Sequence, residues 1–171
     1  MLTRSFTACA ALALTLSTAV CVSAAAAPAN PPIDGITCDA SEGSTSHIHQ
    51  HVAIFDHGRP VVIPNDVGRP KNHKCIYWMH THGAIGIVHI ESPVARTFSL
   101  GNFFDIWGKP LSATAVGPAS AAQGQVRAYL DGRPYVGDPR SIKMTQHAVI
   151  VLEAGPPYVK PPPFTVWKDH F

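Results

Sequence analysis

Charge, cysteine and long apolar runs are all scarce in this chain, and each scarcity closes off a class of function. Charged residues make up 14% of 171 positions, with thirteen Lys and Arg against eleven Asp and Glu. The one basic gathering is Arg69, Lys71 and Lys74, so the footprint of a phosphate-binding surface is missing and nucleic acid is not the expected partner. No zincin helix motif, nucleophile elbow, phosphate loop or dinucleotide fingerprint occurs, which leaves the common hydrolase and nucleotide chemistries without support. Apolar residues run together at length only from about Ala8 to Val22.

That run follows Arg4 and leads into the small residues Ser23 to Ala27, so residues 1–27 read as a secretory signal peptide. Thr15, Ser17 and Thr18 interrupt it, which speaks against a retained anchor. Val20 stands where a lipoprotein signal ending at Cys21 wants a small residue. The expected location is periplasmic or extracellular, with no stable membrane anchor after cleavage. About 144 residues remain, enough for one domain with a modest core.

Of the four cysteines, Cys9 and Cys21 leave with the signal. Cys38 and Cys75 are then the only pair in an oxidising compartment, and a disulfide between them is expected. Closing that loop restrains the unfolded chain by about 3–4 kcal/mol in the entropic view. It also ties the segment before the first histidines to the strand that carries the second group.

Histidine is the abundant component. Six of the ten histidines fall in two short windows: His47, His49 and His51, then His80, His82 and His89. The surrounding pattern predicts a mostly β fold, a small sandwich or barrel of antiparallel hairpins with one short helix packed on the sheet. One hairpin pairs His47–Ile54 with Arg59–Ile63 around Asp56, His57 and Gly58. A second pairs Ile76–His82 with Ile87–Glu91 around residues 83–86, and a third pairs Val126–Leu130 with Pro134–Val136 around Asp131 and Gly132. A last strand runs from about His147 to Glu153.

The first and third hairpins share a pattern: Val, an aromatic three residues on, then Gly-Arg-Pro. Leu100, Phe103, Phe104 and Trp107 fall at i, i+3, i+4 and i+7, with Ser99 to cap the helix and Gly108 and Pro110 to end it. Residues 112–125, rich in Ala, Ser and Gly, read as a loop. The resulting organisation is an extended N-terminal segment (28–46) carrying Cys38, a single β-rich domain (47–155) that carries both groups of histidines, and a Pro-rich tail (156–171).

Strand periodicity turns the histidines into a candidate site. Alternate side chains share a face, so His47, His49 and His51 project together, as do His80 and His82. A turn at residues 83–86 sets His80 opposite His89 and Trp78 opposite Glu91, which adds His89 and Glu91 to that face. Five or six neighbouring imidazoles repel one another when protonated and need donors and acceptors when neutral and buried. A divalent cation answers both needs, since neutral imidazole nitrogens are good ligands.

With both cysteines consumed and Met79 facing away from His80, thiolate and thioether ligands are missing. The set then suits copper(II) or zinc, ahead of iron(II) or nickel. Glu91 joining two histidines would instead approach the facial triad of non-haem iron enzymes. His57, His73 and His170 are expected to be solvated. His147 reads as a structural residue or a remote ligand, and Asp105 as a residue that orients a ligand or faces water.

The stretches Tyr77-Trp78-Met79-His80-Thr81-His82, Gly86-Ile87-Val88-His89-Ile90-Glu91-Ser92-Pro93 and Phe103-Phe104-Asp105-Ile106-Trp107-Gly108, with the early His-x-His-x-His, resemble a group of small secreted or membrane-attached bacterial proteins. That resemblance would span most of the mature chain and implies a shared architecture rather than any one activity. His80 and His82 are also similar to the start of the cupin metal motif, although the Glu follows too late and the second cupin motif is absent. Three functions stay open at this point: metal handling, a mononuclear metalloenzyme of oxygenase or hydrolase type on the same histidines, and a disulfide-stapled interaction domain.

Overall fold

The computed structural model describes residues 30–71 and 74–167. The signal segment, His73 and His170 lie outside the described residues. In chain order the elements are β1 (Cys38–Asp39), β2 (Ser46–Asp56), β3 (Arg59–Val61), β4 (Ile76–Tyr77), β5 (Met79–His80), β6 (Ile87–Ser92), α1 (Leu100–Trp107), β7 (Ala115–Val116), β8 (Ala119–Ser120), β9 (Val126–Leu130), β10 (Arg133–Pro134) and β11 (Val149–Ala154), with a 3-10 turn at Pro139–Ser141. The fold is mostly β with one short helix among the described residues, as the patterning implies.

β2 organises the principal sheet, whose order is β10-β9-β11-β2-β6-β5 with β3 also on β2. Its first half pairs with β6, from Ser46 opposite Ser92 to His51 opposite Ile87. Its second half turns through His57 and Gly58 and pairs with β3, Phe55 opposite Pro60. The third predicted hairpin repeats that geometry: Tyr129 lies opposite Pro134, and Asp131 takes the same left-handed conformation (φ 51°) as His57 (φ 48°). The shared sequence pattern therefore corresponds to a shared turn.

β11 inserts between β9 and β2, antiparallel to one and parallel to the other. The hairpins are antiparallel as expected, and β11, by pairing with β2, adds a parallel ladder to them. Its uninterrupted Val-Ile-Val-Leu run suits a strand covered on both faces, and the long connection from β10 permits either direction. The strand begins at Val149 rather than His147 because His147 is left-handed (φ 59°), which breaks an extended run. A small hairpin, β7–β8, occupies part of the segment read as a loop; the fully buried Val116 anchors it to the core.

Alternation along β2 sends Ile48, Gln50, Val52 and Ile54 to one face. Val88 and Ile90 of β6, Met79 of β5 and Ile150 and Leu152 of β11 join them there. The helix closes this face. Ser99 caps it reciprocally with Asn102, and Gly108 ends it in the left-handed conformation. Phe103 and Phe104 are fully buried, each contributing about 1.5–3 kcal/mol by leaving water.

The disulfide Cys38–Cys75 is present, with Cα atoms 5.2 Å apart. It joins β1 to β4, where Cys38 lies opposite Tyr77, and the indole of Trp78 donates to Asp39 Oδ2 at 2.6 Å. The segment after β1 then runs against the end of β6, where Gly43 N–H donates to Glu91 O and Thr45 N–H to Ser92 O. A Cβ at Gly43 would lie 2.3 Å from the Pro93 nitrogen, so only glycine permits this approach. The approach leaves Glu42 beside the histidine face.

Candidate metal centre

The face of the sheet opposite the helix carries the histidines. His49 lies opposite His89 across β2 and β6, and His89 lies opposite His80 across β6 and β5, so three imidazoles form one row over three adjacent strands. The neighbouring row sets His47 opposite Glu91. His49, His80 and His89 are 2%, 0% and 3% exposed, whereas the side chains of His47 and His82 are 51% and 36% exposed. A buried row is thus flanked by two rings that reach solvent.

The ladder between β5 and β6 stops at His80, short of the expected pairing of His82 with Ile87. Thr81 is held instead by the 64–67 loop: its N–H donates to Val67 O, its carbonyl accepts from Asp66 N–H, and its hydroxyl donates to Pro64 O. Gly68 in the same loop packs so closely that a Cβ would stand 2.3 Å from the Met79 carbonyl oxygen. The loop clamps the chain at His80 and releases His82 from the sheet.

Hydrogen bonds set the direction of the ligand atoms. His80 Nδ1 lies 2.9 Å from Tyr77 O. A carbonyl only accepts, so Nδ1 carries the proton and the Nε2 lone pair points at His82 Nε2, 3.1 Å away. The backbone carbonyl thereby orients the ring, the support that metal-bound histidines ordinarily have. His82 Nδ1 lies 3.4 Å from Arg69 Nη1. On β2, the Nε2 atoms of His47 and His49 are also 3.1 Å apart. Glu91 Oε1 stands 3.1 Å from His47 Nε2 and 3.5 Å from His89 Nδ1. Glu42 Oε1 approaches His82 Nε2 at 3.4 Å and His80 Nε2 at 3.8 Å.

Electrostatics favour the neutral imidazole that a metal requires. Burial, assisted by neighbouring rings, lowers His49 to about 4 and His89 to about 3. Burial also takes His80 to about 4, against the opposing effect of the Tyr77 carbonyl, and lowers His82. Glu91 moves the other way, raised to about 7 by burial first and by the adjacent Glu42 second. The pocket thus holds lone pairs at neutral pH and a carboxyl that a cation would readily deprotonate.

Of the seven residues expected from sequence, six fall into two overlapping sets. His47, His49, His89 and Glu91 form one; His80, His82, His89 and Glu91 form the other. Ligand atoms within each set lie within 4.8 Å of one another. His51 belongs to neither. It sits where β6 begins, hydrogen-bonded to the Ile85 backbone, and Phe164 of the tail stacks on its ring with centroids 3.7 Å apart.

His147 also belongs to neither set, its ring stacked on Trp167 while its backbone N–H donates to His49 O. Asp105 pairs with Arg140 instead of reaching a histidine. His57 pairs with Asp56 in its turn. Met79 lies wholly buried on the core face, opposite Ile90.

Sequence reasoning missed Glu42. It lies in a segment without strand periodicity, and its one signal was its place four residues beyond the disulfide cysteine. An open cleft of about 560 Å³ lined by Glu42, Gly43, Ser44, His47, His82, His89 and Glu91 leads to the ligand atoms. The tail covers part of the rest of this face: Phe164 stacks on His51, Trp167 stacks on His147, and Val159 N–H donates to the buried Glu153 at 2.8 Å. Clusters of histidine and glutamate able to hold a metal ion thus open to solvent at one end of the sheet. No family model, curated protein or solved structure matches the chain.

Proposed function

We propose that this chain is an exported metal-handling protein that binds copper(II) or zinc through His47, His49, His80, His82 and His89 with Glu91. The observation that carries the reading is the row His49, His89, His80. Three almost wholly buried imidazoles, kept neutral by their surroundings, stand side by side, and the best oriented of them turns its lone pair into the cluster. Rings this close repel one another when protonated, and the neutral form that burial imposes on them is the form that binds a divalent cation.

The choice of metal follows from the donors. Cys38 and Cys75 are joined to each other and Met79 is on the far face, so nitrogen and carboxylate ligands remain, a set suited to copper(II) or zinc. Export is supported by the disulfide and by the leader-like composition of residues 1–27. Among the described residues no helix is long and apolar enough to cross a membrane. The likeness of the His-x-His and Gly-Ile-Val-His-Ile-Glu stretches to small secreted or membrane-attached bacterial proteins is consistent with export.

The test is direct. Chain purified from the periplasm, stripped and reloaded, should retain at least one equivalent of copper(II) or zinc after gel filtration. Nitrogen hyperfine structure should appear in the electron paramagnetic resonance spectrum of the copper form. Chain that retains no metal, and whose melting temperature ignores both ions, would leave only the reading of a disulfide-stapled interaction domain. A second use, catalysis at the metal, is favoured by the open cleft, because solvent and small molecules reach His47, His82, His89 and Glu91 from outside. Exchangeable water on the bound ion, seen by relaxation of solvent protons, would support catalysis; a closed coordination sphere would support carriage.

A further inference from the structure

The donors of the site divide by strand. His47 and His49 stand on β2 and His80 and His82 at the end of β5, each pair with Nε2 atoms 3.1 Å apart. Between them runs β6, whose His89 and Glu91 belong to both ligand sets. At a metal–nitrogen distance of about 2.0–2.1 Å, two ligands of one ion lie about 2.9 Å apart at a right angle and about 3.4 Å apart in a tetrahedron. Each pair therefore already has the spacing of two ligands on a common ion.

One ion cannot serve both pairs comfortably. Donors of a single sphere are at most about 4.2 Å apart, twice the metal–nitrogen distance. The ligand atoms that lie within 4.8 Å of one another form two sets, one with His47 and His49 and the other with His80 and His82, because β2 and β5 have β6 between them. The rings lean toward the middle, His49 to His89 at 4.6 Å and His80 to His89 at 5.4 Å between centroids, without reducing the cluster to one point.

We infer, on the basis of the metal reading above, that the centre is binuclear: two divalent transition-metal ions, one on His47 and His49, the other on His80 and His82, with the Glu91 carboxylate as the ligand they share. Its two oxygens suit it to bridge ions about 3.5–4 Å apart, the separation usual in two-metal sites. His89, at the centre of the row, completes one of the spheres.

Charge supports the pairing. Two dications this close repel strongly unless anionic ligands lie with them. Glu91 supplies one carboxylate, and Glu42, which Gly43 and the disulfide hold beside His80 and His82, supplies a second on the side of the second ion. The cleft is lined from both halves, by His47 on one side and His82 and Glu42 on the other. A small oxyanion or a water molecule entering it would meet both ions.

Stoichiometry separates this inference from the reading it rests on. Full-length exported chain, stripped and then equilibrated with zinc, should hold two equivalents after desalting. The His47→Ala/His49→Ala and His80→Ala/His82→Ala double variants should each hold one. One equivalent in the unaltered chain overturns the binuclear centre and leaves the metal reading standing; none overturns both.

The unaltered chain already decides the number. If the His80 variant fails to fold, the half-exposed His47→Gln and His82→Gln single variants give a gentler comparison, each expected to weaken one of two binding steps at least tenfold and leave the other. With copper(II), spins coupled through a shared carboxylate should integrate to fewer than two per chain. Two full, independent spins would overturn the shared ligand.

Discussion

If Glu91 is a ligand, binding must expel the proton that its surroundings hold on it. Its carboxyl titrates near 7, where burial and Glu42 have moved it from 4.5, while His49 and His80 titrate near 4 and His89 near 3. At pH 5.5 the carboxyl therefore carries most of a proton and these three imidazoles together very little. Zinc binding at pH 5.5 should thus release about one more proton from the unaltered chain than from Glu91→Gln. The remaining histidines are common to both and cancel. Isothermal titration calorimetry in two buffers of different ionisation enthalpy measures that difference. A carboxyl titrating at its ordinary 4.5 would contribute only about 0.1 proton at this pH. A difference near that value would refute the placing of Glu91 in a desolvated pocket beside Glu42.

The metal-free chain should lose stability on acidification: the unfolded state takes up protons on His49, His80 and His89 near pH 6.5, whereas the folded state resists until about pH 4 or below. The three together outweigh the opposite contribution of Glu91, which falls away as pH rises through 7, so chemical denaturation at pH 7 and pH 5 should show the lower midpoint at pH 5. Gln50 is fully buried on the core face and its side-chain amide has no hydrogen-bond partner among the described residues, so Gln50→Met should raise stability by about 1–2 kcal/mol in urea titration. Phe104→Ala, which empties a fully buried position under the helix, should cost about 3–5 kcal/mol in the same assay. Replacing Cys38 and Cys75 by Ser should cost about 3–4 kcal/mol and also weaken metal retention, since the disulfide holds the segment that brings Glu42 to His82.

Much of the local structure was legible in sequence because it depends on neighbours in the chain. The Ser99 cap, the 3.6-residue spacing of Leu100, Phe103 and Phe104, and the twin turns at His57–Gly58 and Asp131–Gly132 are set within a few residues each. So is the hairpin register that puts His80 opposite His89, because turn length and alternation leave few other pairings. What escaped are relations between distant segments. The direction of β11, the small hairpin at residues 115–120 and the stacking of Phe164 on His51 depend on which surfaces meet once the core has closed.

The histidine cluster divides in the same way. Sequence alone determined that His47 and His49 share one face of their strand and that His80 and His89 share one face of their hairpin, since a pleated strand alternates its side chains whatever surrounds it. Only the tertiary structure decided that these two faces are the same face. It did so by pairing β2 with β6 in the register that sets His49 against His89 and His47 against Glu91. The same closure buried the central row and brought in Glu42 from a segment with no periodicity of its own. It also covered His51 with the tail, because a cluster in space depends on long-range contacts that no local pattern encodes.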